Sequence, residues 1–353
     1  MQPSSAEDAG SKGCRYPQSN ATALPIRSEL EAIAANSSKC TSFYLDTVEG
    51  MSNDWVSSEG EDHHQGLART HKLSDGAIYF FLSHSQVDPG DEGSVSQYRY
   101  AGATDQEHVL QTTPLTVAPM AQLLPIDEQH PSDIEFLPDV NDLDAGYLFV
   151  TEEYVNRRVT VYRWAPFQDL VVQGRIFQGF PAGGPNFVFV DRVGDYYYLG
   201  IASDHWGWGS CFARDTALFP RCAKGSMDVS AFKPAGMFPF PVLGRMGACQ
   251  TKLIRDAEGK WYLLAFHSDP PDKENGTDYV DVYGVEFEPF GISYLLDSVH
   301  VSFKPGDTGF ASTGTHYVEK SGRLLISSSY RWAKDEGPGG SSFVSRVDEC
   351  PSS

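Results

Sequence analysis

The chain has no apolar run near the roughly 20 residues that a membrane-spanning helix needs, and helical periodicity is scarce. Positive charge is scarce too: 27 lysine and arginine residues stand against 47 aspartate and glutamate residues, a formal net charge of -20. Such a chain repels polyanions, which excludes nucleic acid and disfavours anionic membrane surfaces as partners. The lack of helical patterns excludes a parallel α/β fold, because that fold needs a helix between successive strands.

No two cysteines are separated by two residues, so the sequence lacks the C-x-x-C template of a structural zinc site. The cysteine count is six, an even number, as expected where cysteines pair. Three N-glycosylation sequons are also present, at Asn20, Asn36 and Asn275. The cysteine count and the sequons together favour a secreted glycoprotein. The first thirty residues are polar and contain no apolar signal core, so we expect that its signal peptide has been removed.

The sequence does contain an internal repeat, in five copies. Each copy has a short apolar strand, a glycine-containing turn, and a longer strand rich in Tyr, Phe, Leu and Ile. The turn glycines recur about every 50 to 70 residues, a spacing typical of four-stranded propeller blades; they are Gly76, Gly146, Gly194, Gly259 and Gly322. The predicted fold is therefore all-β, a five-bladed β-propeller, with a β-sandwich as the alternative.

Residues 1–39 are predicted to form an N-terminal tail with a short helix over Arg27–Asn36, and residues 40–353 to form the propeller. A propeller must close its ring, or its last blade leaves an exposed edge. The N-terminal strand Cys40–Val48 is predicted to supply the fourth strand of that blade. Antiparallel pairing there would place Cys40 beside Cys350, which predicts a disulfide.

The other four cysteines allow two further disulfides. Cys211 and Cys222 flank one loop and are predicted to pair, which leaves Cys14 for Cys249 by elimination. Other connectivities stay open, because six cysteines can pair in about 15 ways.

In a propeller the first strand of each blade lines a central channel, so residues near the starts of these strands converge. The polar candidates for catalysis are His64, Gln65, Asp133, Asn186, Gln250 and His316. The candidates for substrate binding are Phe187, His205, Trp206, Trp208, Phe238, His267, Tyr330 and Trp332. A mostly apolar site with a few placed polar groups is typical of a small-molecule pocket, although buried polar residues also serve to hydrogen-bond neighbouring blades.

The phrases "HPSDIEFL" and "GPNFVFVDRVGDYYYLGIAS" resemble the second and third blades of family 43-type glycosidases. That resemblance implies a five-bladed propeller with three carboxylates at its channel, of which Asp133 matches the orienting aspartate. Gly183 stands where the acid is expected, and His63-His64-Gln65 has no aspartate at the base position. Hydrolysis by this scheme needs two carboxyl groups, so it is not expected, whereas sugar binding through aromatic stacking stays open.

The phrases "HHQG", "HPSDIEF", "DHWGWGSCF" and "STGTHY", on a chain with paired cysteines, resemble fungal propeller proteins of natural-product clusters. One branch comprises hetero-Diels–Alderases that join humulene-type terpenes to tropolone quinone methides, and another the cyclase of trichothecene clusters. The resemblance implies a cyclase or pericyclase with small apolar substrates, no cofactor and no metal. Such a reaction needs two apolar partners held face to face and hydrogen-bond donors on the developing oxyanion.

The sequence thus favours a cofactor-independent cyclase. The alternatives are a carbohydrate-binding or glycoside-processing propeller that lacks the usual acid, and a non-enzymatic interaction module.

Overall fold

The computed structural model describes residues 26–35, 40–45, 63–85, 93–100, 115–117, 121–125, 131–152, 157–177, 185–193, 195–203, 217–225, 227–234, 238–239, 250–255, 260–269, 277–287, 290–300, 313–318, 323–329 and 345–352. Within these ranges the chain is mostly β-structure, with one α-helix, α1 (Ile26–Ala35), and one short 3₁₀-helix at Val229–Ala231. None of the described helices is long and apolar enough to cross a membrane.

The strands in the first half of the chain are β1 (Thr41–Leu45), β2 (His63–Arg69), β3 (Ile78–Ser85), β4 (Ser94–Tyr100), β5 (Leu115–Val117), β6 (Ala121–Pro125), β7 (Pro131–Pro138), β8 (Gly146–Glu152), β9 (Arg158–Trp164) and β10 (Val171–Phe177). Those in the second half are β11 (Pro185–Val193), β12 (Tyr196–Ser203), β13 (Ala217–Lys224), β14 (Lys233–Pro234), β15 (Phe238–Pro239), β16 (Gln250–Arg255), β17 (Trp261–Asp269), β18 (Thr277–Phe287), β19 (Phe290–His300), β20 (Thr315–Val318), β21 (Leu324–Ser329) and β22 (Ser345–Pro351).

The described strands form five sheets. Sheet 1 has the order β2-β3-β4-β6, sheet 2 β7-β8-β9-β10, and sheet 3 β11-β12-β13-β14 with β15 also on β13. Sheet 4 has the order β16-β17-β18-β19, and sheet 5 β20-β21-β22-β1-β5. Pairing within the sheets is antiparallel, except that β5 joins β1 in parallel.

The first strand of each sheet contacts the first strands of two others. β2 contacts β7, β7 contacts β11, β11 contacts β16, β16 contacts β20, and β20 contacts β2 again. These five inner strands (β2, β7, β11, β16 and β20) therefore follow one another in a cycle, in chain order.

The hairpins at the start of the sheets coincide with the five repeats in the sequence, because alternating apolar residues and turn glycines specify them locally. In the first hairpin Leu67 lies opposite Leu82, and Gly76 adopts φ 83° in the turn, a conformation that favours glycine. Gly146, expected in a turn, instead begins β8, where an added Cβ would lie 2.4 Å from the ring of Phe136. Close approach of Phe136 explains that glycine.

The apolar core lies between neighbouring sheets. One cluster joins sheets 1 and 2 around Trp164 and Phe81, and a second joins sheets 2 and 3 around Phe149 and Val188. A third packs Phe43 of sheet 5 against sheet 1. Each sheet is thus held mainly by its neighbours, and the inner strands meet where these faces converge.

The N-terminal strand pairs with the C-terminal strand, as the sequence predicts. Thr41 lies opposite Glu349 in the β1–β22 ladder, and Cys40 forms a disulfide with Cys350 across a Cα–Cα distance of 4.1 Å. The parallel addition of β5 to β1 was not anticipated. The predicted bonds Cys211–Cys222 and Cys14–Cys249, and the sequons, lie outside the described residues.

A buried ion pair ties sheet 1 to the same strand β22. Arg69 Nε lies 2.7 Å from Glu349 Oε2, with both side chains 1% exposed. Ser327 Oγ donates a hydrogen bond to Glu349 at 3.0 Å, and the Arg69 guanidinium lies over the Tyr317 ring.

The predicted short helix is present as α1, one residue earlier than expected at each end. Leu30 and Ile33 are fully buried in one apolar cluster with residues of sheets 4 and 5, and α1 contacts β19, β21 and β22. The apolar face of α1 is therefore part of the core of the sheets, so the segment is more than a strap lying across the surface.

Candidate functional site

A buried lysine stands at the centre of the inner strands. Lys252 is the third residue of β16, and its Nζ lies 3.1 Å from Asp133 Oδ1 and 2.9 Å from Glu135 Oε2. It also donates to the carbonyl oxygen of Ile134 at 3.0 Å. Asp133 and Glu135 lie two positions apart on β7, on the same side of the strand, so one ammonium group holds two carboxylates from another sheet. We call Asp133, Glu135 and Lys252 the channel cluster.

The two carboxylates differ in what surrounds them. Asp133 is 1% exposed, and it accepts backbone hydrogen bonds from Ile134 N at 2.8 Å and Val188 N at 3.0 Å. Glu135 accepts one backbone hydrogen bond, from Phe136. Its Oε2 atom, which contacts Lys252, is buried, but the side chain as a whole is 16% exposed. Asp133 is therefore fixed in the structure, and Glu135 is the less enclosed of the two carboxyl groups.

Burial and the three charges shift the pKa values of the cluster. Burial raises the pKa of Asp133 to about 6, against the lowering effects of Lys252 and of the Val188 N–H. Burial also raises the pKa of Glu135, and the lysine again opposes the shift. For Lys252, burial would lower the pKa, but the two carboxylates together raise it, so the ammonium stays charged. One ammonium cannot compensate two buried carboxylates, which favours a proton on the pair near neutral pH.

A third carboxyl group lies on the neighbouring inner strand. Burial raises the pKa of Asp191 to about 6, the Arg192 N–H and Arg255 oppose this, and the charge of Glu135 adds to it. Arg192 N donates to Asp191 Oδ1 at 2.6 Å. Because Val188 N donates to Asp133, β11 lies beside β7 at these residues. Glu135 and Asp191, which follow Asp133 and Val188 on the two strands, are therefore close enough for the charge of Glu135 to act on Asp191.

His316 of β20 completes the charged groups near the lysine. Burial, with a smaller contribution from the charge of Lys252, lowers the pKa of His316 to about 3. The ring is therefore neutral at physiological pH and cannot act as the acid. Its Nδ1 atom is buried and has no hydrogen-bond partner among the described residues.

Gln250, a predicted hydrogen-bond donor, links three inner strands. Its Nε2 donates to Gln65 O of β2 at 2.5 Å, and its Oε1 accepts from Gly314 N just before β20. The Gln65 side chain is buried as well. Both ends of the Gln250 amide are therefore used in contacts between sheets.

The structure places the other predicted residues as follows. Phe187 lies near the start of inner strand β11 and is 8% exposed. For His64, Asn186, Phe238 and His267 only the backbone is described, in β2, β11, β15 and β17 respectively. Phe238 pairs with Leu218 at the outer side of sheet 3, away from the inner strand. His205, Trp206, Trp208, Tyr330 and Trp332 lie outside the described residues.

Convergence of the first strands brings Asp133, Gln250 and His316 to one centre, as the repeat predicts. The repeat pattern also places Glu135, beside Asp133, among the residues expected to converge at the channel, although not among the candidate site residues. It does not single out Lys252 or Asp191. The sequence did contain a weak signal. Asp133 and Lys252 are each the third residue of an inner strand, so their opposite charges lie equally far along two of the inner strands.

The cluster has the composition of an acid–base site. A carboxyl group with a raised pKa that remains partly accessible can donate a proton near neutral pH.

No group of three or more His, Cys, Asp or Glu side chains suited to a metal ion occurs in the part of the chain that the structure describes. The acidic residues of the loop Asp139–Asp144 are partly neutralised by Arg163, which lies 3.0 Å from Asp139.

No family model matches the chain, and no curated protein matches it. Among solved structures, a family 117 glycoside hydrolase from Zobellia galactanivorans is similar at TM-score 0.47 and 11% identity, over 89% of this chain and 91% of that one. A GH43 enzyme from Xanthomonas citri is similar at TM-score 0.44 and 13% identity, over 92% of each chain.

The chain is also similar to the GH43 protein BlXynB from Bacillus licheniformis, at TM-score 0.40 and 14% identity over 69% of this chain. It spans 47% of the length of that protein. These scores are too low to carry an argument about the chain's activity, which has to be inferred from its own residues.

Proposed function

We propose that this chain is a five-bladed β-propeller enzyme that processes a sugar or a glycoside at the channel cluster. The five sheets are its blades. The cyclic contacts of the inner strands support a closed ring, and so does the pairing of β1 with β22 in the last blade. The Cys40–Cys350 disulfide supports an oxidising, secretory location, because such bonds are rare in reducing compartments.

The observation that carries the proposal is the raised pKa of two carboxyl groups, Glu135 and Asp191, on adjacent inner strands. Glycoside hydrolysis needs one carboxyl group that donates a proton to the leaving oxygen and a second that acts as base or nucleophile. In this scheme Glu135 is the proton donor and Asp191 the second carboxyl group. Asp133 and Lys252 are positioning residues that hold Glu135 in place and set its protonation.

This assignment differs from the one that the glycosidase resemblance implies. That scheme puts the acid at the position of Gly183 and the base in the first blade. In the structure the available carboxyl groups lie instead on β7 and β11, deeper along the inner strands. The missing acid at position 183 therefore leaves the proposal intact.

The cyclase reaction finds less support. It needs free hydrogen-bond donors for a substrate oxygen, and Gln250 and Asp133 already make hydrogen bonds within the protein. Because the His316 ring is neutral at physiological pH, it cannot supply the acid of the cyclase reaction either. A cyclase would still have Glu135 as its proton donor, so it is the alternative that the assay must test.

The test incubates the purified full chain with a panel of aryl glycosides and, separately, with a quinone-methide precursor plus humulene. The expected result is release of phenol from a phenyl glycoside that Glu135→Gln lowers at least 100-fold and that Glu31→Gln preserves. Glu31 is the matched control because it lies exposed on α1, where it pairs with Arg27. No glycoside turnover, combined with a changed product ratio in the humulene reaction, would overturn the sugar proposal in favour of the cyclase.

A further inference from the structure

Large exposed apolar side chains are confined to one sheet. Among the described residues, those that are more than one-third exposed all belong to sheet 2 and its turns: Val140, Leu143, Phe167, Val171 and Val172. Leu143 is 64% exposed and Phe167 60%. Isolated apolar residues on a surface are ordinary, but a group at one place marks an interaction site.

Strand register shows that three of these side chains lie near one another. Leu143 lies in the turn before β8, and Phe167 lies in the turn after β9. The residue that begins β8 pairs with the one that ends β9, Gly146 with Trp164, so the two turns are at the same end of the sheet. Val171 begins the edge strand β10 opposite Arg163 at that end. Adjacent strands lie about 5 Å apart, so Leu143, Phe167 and Val171 lie near one another at this end of sheet 2, which we call the sheet 2 apolar end.

Phe167 is held in an unfavourable backbone conformation. Its φ is 61°, a left-handed value that is rare for a bulky residue and costs about 1 kcal/mol or more. The turn is closed by Gln168 N donating to Ala165 O at 3.3 Å. Phe167 is 60% exposed, so packing within its own chain offsets little of this cost, and such strain is concentrated where residues have a binding role.

The charge around this surface defines its partner. The charged residues of turns 139–145 and 165–170 are Asp139, Asp142, Asp144 and Asp169, without a lysine or arginine. Among the described residues Arg163 contacts two of these aspartates, at 3.0 Å from Asp139 and 3.7 Å from Asp142, and Asp144 accepts from Ser74 N. We propose that the sheet 2 apolar end docks a cationic amphipathic polypeptide, whose apolar face covers Leu143 and Phe167 and whose lysine or arginine residues meet the aspartates.

The negative charge of this surface disfavours two other occupants, a second copy of this chain and an anionic lipid membrane. A second copy of this chain would bring the same acidic rim and a further net charge of -20 to the surface, and anionic lipid would be repelled for the same reason. A basic partner satisfies both the apolar centre and the acidic rim.

The experiment uses a labelled amphipathic helical peptide of leucine and lysine, and its binding to the full chain is followed by fluorescence anisotropy at physiological salt. The double variant Leu143→Ser/Phe167→Ser keeps all charges and is expected to bind at least ten-fold more weakly. Asp142→Asn/Asp169→Asn is expected to weaken binding several-fold and to reduce its salt dependence. A matched peptide with glutamate in place of lysine is expected not to bind.

Three results would overturn the proposal. Equal affinity of the wild type and Leu143→Ser/Phe167→Ser would show that net charge alone holds the peptide. Loss of a dimer in the same variant by sedimentation would identify a second copy as the occupant, and binding to neutral lipid vesicles that the variant loses would identify a membrane. Aryl glycoside turnover is a separate readout that these variants leave unchanged.

Discussion

Replacing Lys252 by methionine tests the channel cluster most severely, because it removes the positive charge that contacts both carboxylates of the cluster. Its Nζ lies 3.1 Å and 2.9 Å from Asp133 and Glu135 and is fully buried. Breaking a buried ion pair by removing one partner costs roughly 3–5 kcal/mol, since the other charge is left without compensation. We expect Lys252→Met to lose that much free energy of unfolding at pH 8.

The loss should depend on pH in a defined direction. Asp133 has a folded-state pKa of about 6, above its ordinary value of 3.8, so the folded protein binds more protons than the unfolded chain between these pH values. Stability therefore falls as pH rises through this window, by about 3 kcal/mol for a shift of this size. Without Lys252 the pKa of Asp133 rises further, so the fall in folding stability continues to higher pH. The cost of Lys252→Met should be much smaller at pH 5 than at pH 8.

The assay is guanidinium unfolding followed by tryptophan fluorescence at both pH values, without reductant. Lys260→Met is the matched control, because that lysine is exposed on the same sheet and lies over the ring of Tyr262. The triple variant Lys252→Met/Asp133→Asn/Glu135→Gln should recover part of the stability, since it removes the unpaired charges. A loss of similar size at pH 5 and pH 8, or a loss below 1 kcal/mol at pH 8, would refute this reasoning.

Three further predictions concern how the sheets are held together. Cys40→Ser/Cys350→Ser should lower the free energy of unfolding by up to about 5–6 kcal/mol on the chain-entropy estimate, because the bond closes a separation of 310 residues; a change below 1 kcal/mol would contradict it. Arg69→Leu should cost roughly 3–5 kcal/mol through the unpaired carboxylate of Glu349, and adding Glu349→Leu should restore most of that, as denaturant titration would show. Gly146→Ala should lower stability by about 1–3 kcal/mol, since the new Cβ meets the Phe136 ring at 2.4 Å; an unchanged unfolding midpoint would show that the ring moves aside freely.

The repeats were readable from the sequence because their determinants are local. Strand alternation and turn residues act within one hairpin, so the β2–β3 and β7–β8 pairs follow from short stretches of chain. The Cys40–Cys350 bond was also predictable, although its partners are far apart, because antiparallel pairing of the N-terminal strand with the C-terminal strand fixes which ends meet.

The channel cluster depends on contacts that no local pattern encodes. Lys252 and Asp133 are separated by 119 residues, and a lysine within a strand usually faces solvent. Gln250 and Asp133 were predicted as site residues from their positions, but only the side-chain contacts show that both are engaged within the protein. The less enclosed carboxyl group is Glu135, two residues further along β7.

The central claim is that Glu135 donates a proton to the leaving group of a glycoside. How strongly the rate of a Glu135→Gln variant depends on the leaving group tests this claim most directly. The rates of Glu135→Gln and wild type are compared on a phenyl glycoside and on a dinitrophenyl glycoside of the same sugar. A poor leaving group needs the proton and a good one does not, so we predict a loss of about 10²–10⁴-fold on the phenyl substrate and little loss on the dinitrophenyl substrate. Equal rates for variant and wild type on both substrates would contradict the account.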